Sequence, residues 1–354
     1  MNVLVALSGG VDSAVTAALL RCRGYQVSGA IMSIWREGKY RGGAHDACFG
    51  PGEKNDIESA REICRILDIP FRILDCADAY EQDVLRYFRK EYLAGRTPNP
   101  CIRCNGMIKF GLFPCLAEAS GIKFERFATG HYVRLIHEPE RVRLLAGMDA
   151  AKDQSYFLYR LRQDQLRTAL TPLGDFEKKQ VREMAREFGL PSYNKPDSQN
   201  FYSGDYRELL GVSDCQGDVV HISGRRLGKH DGHWNFTIGQ RKGLRISHSE
   251  PLYVVDIRPE KNEVVVGSAN ETVRHVLTTV ETNWLSITQP EVPFSASIKV
   301  RSSGRMVPCL VSPLESGDFR AEFPEGLAGV APGQSAVLYR KDMVLGGGTI
   351  ASVQ

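Results

Sequence analysis

Over the first two hundred residues, short apolar runs alternate with stretches whose apolar side chains recur at helical spacing. Residues 3–7 form an uninterrupted β-type run, and residues 12–23 after it carry a helical pattern. Further strands are predicted over 27–32, 71–74 and 127–129, and further helices over 55–67, 77–92 and 107–120. The helix over 55–67 rests on Ile57, Ala60, Ile63, Cys64 and Leu67. The proline- and glycine-rich stretch 95–105 reads as a loop. Strands and helices that alternate in this way predict an α/β fold, a doubly wound parallel sheet covered on both faces.

Near residue 200 the pattern changes. The last helical segments are 176–188 and 205–210, and after Gly217 short β runs follow at 219–222, 234–238, 252–256 and 263–266. From Val273 a second all-β pattern begins, with alternation at 295–300, 308–311, 319–323 and 336–339. Three domains are expected: an α/β catalytic domain over 1–204, a small β-rich central domain over 205–271 and a C-terminal β-barrel over 272–354. A chain of 354 residues exceeds what one core usually supports, so this division is the natural one.

Composition adds mainly exclusions. With 42% apolar and 25% charged residues, the chain is neither disordered nor collagen-like. The net charge of +3 names no partner, yet it averages over a local contrast. Between Ile222 and Arg245, six Lys/Arg (Arg225, Arg226, Lys229, Arg241, Lys242 and Arg245) face one acidic residue, Asp231. No run approaches the ~18 apolar residues of a membrane span, and the N-terminal run lacks the features of a secretory leader. A cytoplasmic protein with no membrane partner is expected. The nine cysteines, an odd number without a disulfide-type spacing, agree with a reducing compartment. Cys22, Cys64, Cys76 and Cys115 fall on apolar positions and read as core, as does Cys309.

Candidate chemistry begins at Ser8-Gly9-Gly10-Val11-Asp12-Ser13, between the first strand and first helix. Paired glycines let a backbone approach an anion, the helix N-terminus adds partial positive charge, and Ser8 and Ser13 add donors. The string is that of the PP-loop of enzymes that split ATP into AMP and pyrophosphate. It lacks the lysine and Gly-Lys-Ser ending of the Walker loop. The chemistry implied is adenylation of an oxygen acceptor, with Mg²⁺ offsetting phosphate charge and Asp12 as its partner.

A second candidate is Asn99-Pro100-Cys101-Ile102-Arg103-Cys104-Asn105. A Cys-x-x-Cys pair at a helix start, beside Arg103, is expected to have a lowered thiol pKa and to supply a nucleophile. Together with Lys152-Asp153-Gln154-Ser155-Tyr156-Phe157-Leu158, Thr237-Ile238-Gly239-Gln240-Arg241-Lys242-Gly243-Leu244 and Gly333-Gln334-Ser335-Ala336-Val337, these stretches resemble the tRNA-specific 2-thiouridylases. This MnmA/TrmU family of sulfurtransferases converts the wobble uridine (U34) of tRNA to 2-thiouridine, and the matching stretches cover nearly the whole chain.

The resemblance implies an ATP site formed by Ala6, Leu7, Ser8, Gly9, Gly10, Val11, Asp12 and Ser13, with Met32 and Gly130. It implies tRNA contacts from Asn99, Pro100, His131, Lys152, Asp153, Gln154, Gln240, Arg241, Lys242, Arg301, Ser302 and Gln334. Cys104 matches the nucleophile. The reading from residues alone makes His131 a structural histidine at a strand end. The implied partners are the anticodon arm of tRNA and a sulfur donor: a cysteine desulfurase, a sulfur-relay protein or free sulfide.

Two positions depart from the family pattern. Cys101 stands where the family usually has Asp. The family's second catalytic cysteine, in a Ser-x-x-x-Cys-Phe context, is absent from Asp197-Ser198-Gln199-Asn200-Phe201-Tyr202, which is shortened. Three schemes remain open. Cys101 and Cys104 share the persulfide and resolving roles; or Cys48, Cys101 and Cys104 ligate a [4Fe–4S] cluster with one open iron; or a donor protein delivers sulfur directly to one thiol. Cys215, shortly after the gap, is a weaker substitute. Readings from other classes are a PP-loop amidating ligase, of the GMP-synthetase or argininosuccinate-synthetase kind, and a weakened tRNA-binding or sulfur-carrier protein.

Overall fold

A computed structural model describes residues 1–43, 47–195 and 200–354. The chain forms two compact units, 1–85 with 100–208 and 342–344, and 86–99 with 209–341 and 345–354.

In the first unit, the apolar runs become a five-stranded sheet. Its members are β1 (Asn2–Leu7), β2 (Gln26–Ser33), β3 (Phe71–Asp75), β4 (Arg126–Ala128) and a short strand, Ala169–Leu170, in the order β3-β2-β1-β4-(169–170). All of these pairings are parallel, with Val5 opposite Gly29 on one side and Ala128 on the other. The chain moves from β1 outward through β2 to β3 and then returns to the far side of β1. The switch point of the sheet therefore lies between the carboxyl ends of β1 and β4, where open α/β sheets bind ligands.

Helix α1 (Val11–Cys22) leaves β1 through the Ser8-Gly9-Gly10 turn and is buried on most sides, from Val11 to Leu20. Helix α2 (Glu53–Ile66) presents Ala60, Ile63 and Cys64 to the sheet. It approaches β2 so closely that a Cβ on Gly29 would lie 2.6 Å from the Cys64 sulfur. One core joins Val3, Val5, Val15, Ile63, Tyr132, Val181 and Ala185.

Three local outcomes differ from expectation. The predicted helix over 77–92 contains a π-helical turn, Glu81–Leu85. Helical structure after the 95–99 loop begins at Pro100 rather than Met107, because proline's fixed φ suits a first helical turn. It runs as Pro100–Arg103, then a nine-residue π-helix, Cys104–Leu112, then Phe113–Ala119. A hairpin of Val133–His137 and Val142–Ala146 follows β4; its alternation was not read from the sequence.

The second unit is β-rich. A four-stranded sheet contains Gly217–His221, Arg226–His230, Tyr253–Arg258 and Glu263–Gly267. The strand predicted over 234–238 is instead a 3₁₀ turn, His233–Asn235, leading into a loop. Its apolar alternation reflects Phe236 and Ile238 entering the small core, not strand pairing. Six strands from Val273–Trp284 to Met343–Val353 form a barrel, closed where the first pairs antiparallel with the last.

Candidate active site

The phosphate loop sits at the switch point. Gly9 adopts φ +67°, and a Cβ there would lie 2.5 Å from the carbonyl oxygen of Asp56 in α2, so only glycine fits. Ser13 Oγ accepts from the Ser8 N–H at 3.1 Å and donates to the Gly10 carbonyl at 3.2 Å. Gly10, the N-cap of α1, supplies no side-chain cap, which leaves the helix end suited to an anion. Ala6, Leu7 and Met32 lie at the carboxyl ends of β1 and β2. A Cβ on Gly130 would stand 2.9 Å from the backbone of Asp12 and Ser13, so Gly130 is packed on the loop.

Two lysines that sequence reasoning missed complete this region. Lys178, from the helix Lys178–Glu187, places Nζ 2.8 Å from both Asp12 carboxylate oxygens, and Tyr132 Oη donates to Oδ1 at 2.8 Å. Asp12 is thus a charge-paired carboxylate in the helix's first turn. Lys195 Nζ bonds Asp56 Oδ1 at 2.6 Å and the Gly9 carbonyl at 3.2 Å. Two lysines are therefore bonded to the loop, each also paired with a carboxylate.

The thiol site is built from the helical turns at 100–112. Cys101 and Cys104 are half-buried. Burial pushes Cys101 up to about 12, with Cys48 and Cys104 adding to the rise, and pushes Cys104 up to about 11, opposed by Lys109. This corrects the lowered pKa expected from the helix start and Arg103: desolvation and neighbouring thiols outweigh the helix end. Cys48 is exposed as a residue, yet its sulfur is desolvated and raised. The buried Tyr80 hydroxyl feels the charges of all three cysteines. Cys48, Cys101 and Cys104 are therefore electrostatic neighbours.

Cys48 also has a telling backbone partner. Its N–H bonds the Asn200 carbonyl at 3.2 Å, and the Phe49 N–H bonds the Phe201 carbonyl at 3.0 Å. Residues 200–201 belong to the shortened segment that lacks the family's second cysteine; 196–199 of that segment, like 44–46 ahead of Cys48, lie outside the described residues. Among the described residues, no group of three or more His, Cys, Asp or Glu could hold a metal ion. Cys64, Cys76 and Cys309 are buried as expected, whereas Cys22 and Cys115 are exposed on helix surfaces, a correction to their reading as core.

Other expected contact residues are spent on internal bonds. His131 is buried, bonds Thr129 Oγ1 through Nδ1 at 2.8 Å and is held neutral by burial. Gln154 Oε1 accepts from the Tyr132 N–H at 3.0 Å, and Asp153 holds the Ser155 N–H and hydroxyl. In the second unit, Arg301 Nη2 bonds the Ile238 carbonyl at 2.6 Å and that of Gly329 at 2.9 Å. Gln334 Nε2 donates to the Thr97 carbonyl at 3.1 Å. Gln240 folds back onto Thr237 and Lys242. Arg225, Arg226, Lys229, Arg241, Lys242, Arg245 and Ser302 are exposed.

A parallel α/β domain with a phosphate loop and clustered thiols, followed by two β modules, defines a nucleotide-dependent, thiol-bearing PP-loop protein. Family profiles match along the chain: the tRNA methyl transferase HUP domain over 1–202, the tRNA methyl transferase PRC-barrel domain over 207–268 and the aminomethyltransferase beta-barrel domain over 274–350. A tRNA-specific 2-thiouridylase MnmA of Endomicrobium trichonymphae is 44% identical over 356 residues, covering 99% of each chain. Its counterpart in Carboxydothermus hydrogenoformans is 42% identical, covering 99% of this chain and 97% of that one. The chain belongs to the tRNA-specific 2-thiouridylase (MnmA) family. Among solved structures, a 4-thiouridine synthetase in complex with RNA and ATP covers 59% of this chain and 45% of its own, at 17% identity and a TM-score of 0.34, too distant to bear on the argument.

Proposed function

We propose that this chain thiolates U34 in two steps, adenylation at the phosphate loop and sulfur attack from the group Cys48, Cys101 and Cys104. It is a tRNA-uridine 2-sulfurtransferase that uses ATP. In the first step the C2 oxygen of uridine bonds the α-phosphorus, and pyrophosphate leaves with the electron pair of the broken P–O bond. Ser8–Ser13 hold the phosphates, while Lys178 and Lys195 supply positive charge beside them. Asp12 is the residue that would hold Mg²⁺, which would shield the phosphate charge; Lys178 already neutralises this carboxylate, so the two cations compete for it.

In the second step a sulfur bonds C2, the C2–O bond breaks and AMP leaves with its electron pair. In a persulfide form, the terminal sulfur on Cys104 makes the C2 bond. A second thiol then attacks the Cys104 sulfur, releasing the thiocarbonyl and leaving a disulfide that a thiol reductant reopens. The observation that carries the reading is Cys101 and Cys104 on one stretch of helical turns, with the Cys48 N–H bonded to the very segment that lacks a cysteine. A [4Fe–4S] cluster on Cys48, Cys101 and Cys104 is the alternative form; it would need the three sulfurs to converge further than they do here, and would then offer an open iron for sulfide.

The persulfide form takes its sulfane sulfur from the persulfide of a cysteine desulfurase or relay protein, whereas free sulfide would serve the cluster form, and the base must leave the anticodon stack at a cost of a few kcal/mol. Contacts between the anticodon arm and the β modules, through the exposed basic residues 225–245, offset that cost. The test is nucleoside mass spectrometry of tRNA incubated with protein, ATP, Mg²⁺ and either a cysteine desulfurase with cysteine or sulfide. Cys104→Ala should abolish 2-thiouridine with tRNA binding intact; unchanged thiolation contradicts the assignment. Anaerobic purification with iron and sulfide quantitation separates the two sulfur-holding forms: full activity without iron removes the cluster.

A further inference from the structure

Lys109 belongs to no step described so far. It lies in the π-helix Cys104–Leu112, half-buried, five residues after Cys104. In an α-helix, at about 100° per residue, residues five apart point roughly 140° away from each other. A π-helix closes i→i+5 bonds with about 4.4 residues per turn, so the same spacing ends only about 50° past a full turn. The rare helix type thus brings Lys109 onto the face of Cys104. Among the described residues it makes no ion pair. Its charge reaches the thiols of Cys48, Cys101 and Cys104 and the ring of His131, which come from three different segments. The other titratable groups around the thiols are Tyr80, Tyr206, Cys76 and Asp56, each neutral or negative, and Arg103, whose guanidinium turns to the Met107 sulfur at 3.8 Å.

We infer that Lys109 is the positioning cation of the thiol site, set there by the π-helix to hold the negative charge of the attacking sulfur. The inference rests on the thiol reading above and adds to it a positive charge carried on the same helical face as Cys104. A nucleophilic sulfur carries its charge until the C2–S bond forms, and a cation one helical turn away lowers the energy of that anion in a desolvated site.

The test uses the full-length chain with its thiols reduced, alkylated at Cys104 in parallel with anionic iodoacetate and neutral iodoacetamide and read by mass spectrometry. Both reagents consume the same thiolate, so the ratio of their rates cancels its ionisation and reports only the local electrostatic potential. Lys109→Met should lower the iodoacetate-to-iodoacetamide ratio roughly fivefold, and Lys109→Arg should restore most of it. In single turnover, Lys109→Met should slow 2-thiouridine formation with pyrophosphate release unchanged, again with rescue by Lys109→Arg. An unchanged ratio, or a lowered ratio with unchanged sulfur transfer, overturns the inference. Should Lys109→Met fail to fold, the neutral and polar Lys109→Gln carries the same comparison. Loss of the thiol reading would show separately, as 2-thiouridine made by Cys104→Ala, whatever the reagent ratio.

Discussion

Lys178 and Asp12 lie 166 residues apart in the chain and meet through two 2.8 Å bonds at the first turn of α1. Lys178 is only 8% exposed, so its ammonium depends on this partner. Asp12→Ala should destabilise the first unit by about 3 kcal/mol, read by urea unfolding. Lys178→Met leaves the half-buried carboxylate with Tyr132 alone and should cost less stability. It should nevertheless slow AMP formation on the order of a hundredfold, the scale of losing one charge-stabilising donor. Wild-type AMP formation in Lys178→Met would remove that lysine from the adenylation step.

Gly9→Ala tests the loop itself. The added Cβ would meet the Asp56 carbonyl at 2.5 Å, in a backbone conformation with φ +67°. The loop must move off α2, and with it the Lys195 bond to the Gly9 carbonyl. A stability loss of roughly 2 kcal/mol and a raised KM for ATP are expected. A full thermal melt at the wild-type temperature together with an unchanged KM would show that this close approach is dispensable.

The thiols carry a pH signature. Cys104 and Cys101 are pushed up to about 11 and about 12, above the ordinary thiol value of 9.0. The folded state therefore favours their protonated forms; that contribution is intact below pH 9 and is lost as pH rises toward 11–12. Iodoacetamide labelling of either thiol should be slow at pH 8 and climb about tenfold per pH unit to pH 10. A labelling midpoint near pH 7 would contradict the desolvated site.

The exposed basic residues of the second unit predict salt-dependent tRNA binding. Replacing Arg241 and Lys242 with Ala should weaken binding across tRNA sequences and reduce the slope of log K against log salt by roughly one to two. Arg226 and Arg245 already pair with Asp218 and Asp231, so their removal should matter less. Filter binding over a salt series checks both, and equal effects from the two pairs would count against this ranking.

What the chain reveals before folding follows the range of each interaction. The strands, α1 and the phosphate loop were legible because apolar period and glycine spacing are local signals. Lys178 and Lys195 were not, since their partners lie 166 and 139 residues away. The exposed Cys22 and Cys115 show the converse error, an apolar residue type without a core position. The thiol shift was misjudged because the helix end is visible in the chain while burial is not. Arg301, Gln154 and Gln334, expected to contact RNA, each also make a bond within their own unit that the sequence does not display.

The central claim is that Cys48 joins Cys101 and Cys104 in place of the missing cysteine. Its most direct test is 2-thiouridine formation by Cys48→Ser, with tRNA, ATP, Mg²⁺ and either a cysteine desulfurase with cysteine or sulfide, measured by nucleoside mass spectrometry beside pyrophosphate release. The account predicts loss of 2-thiouridine with single-turnover pyrophosphate release retained; undiminished 2-thiouridine in Cys48→Ser would contradict it.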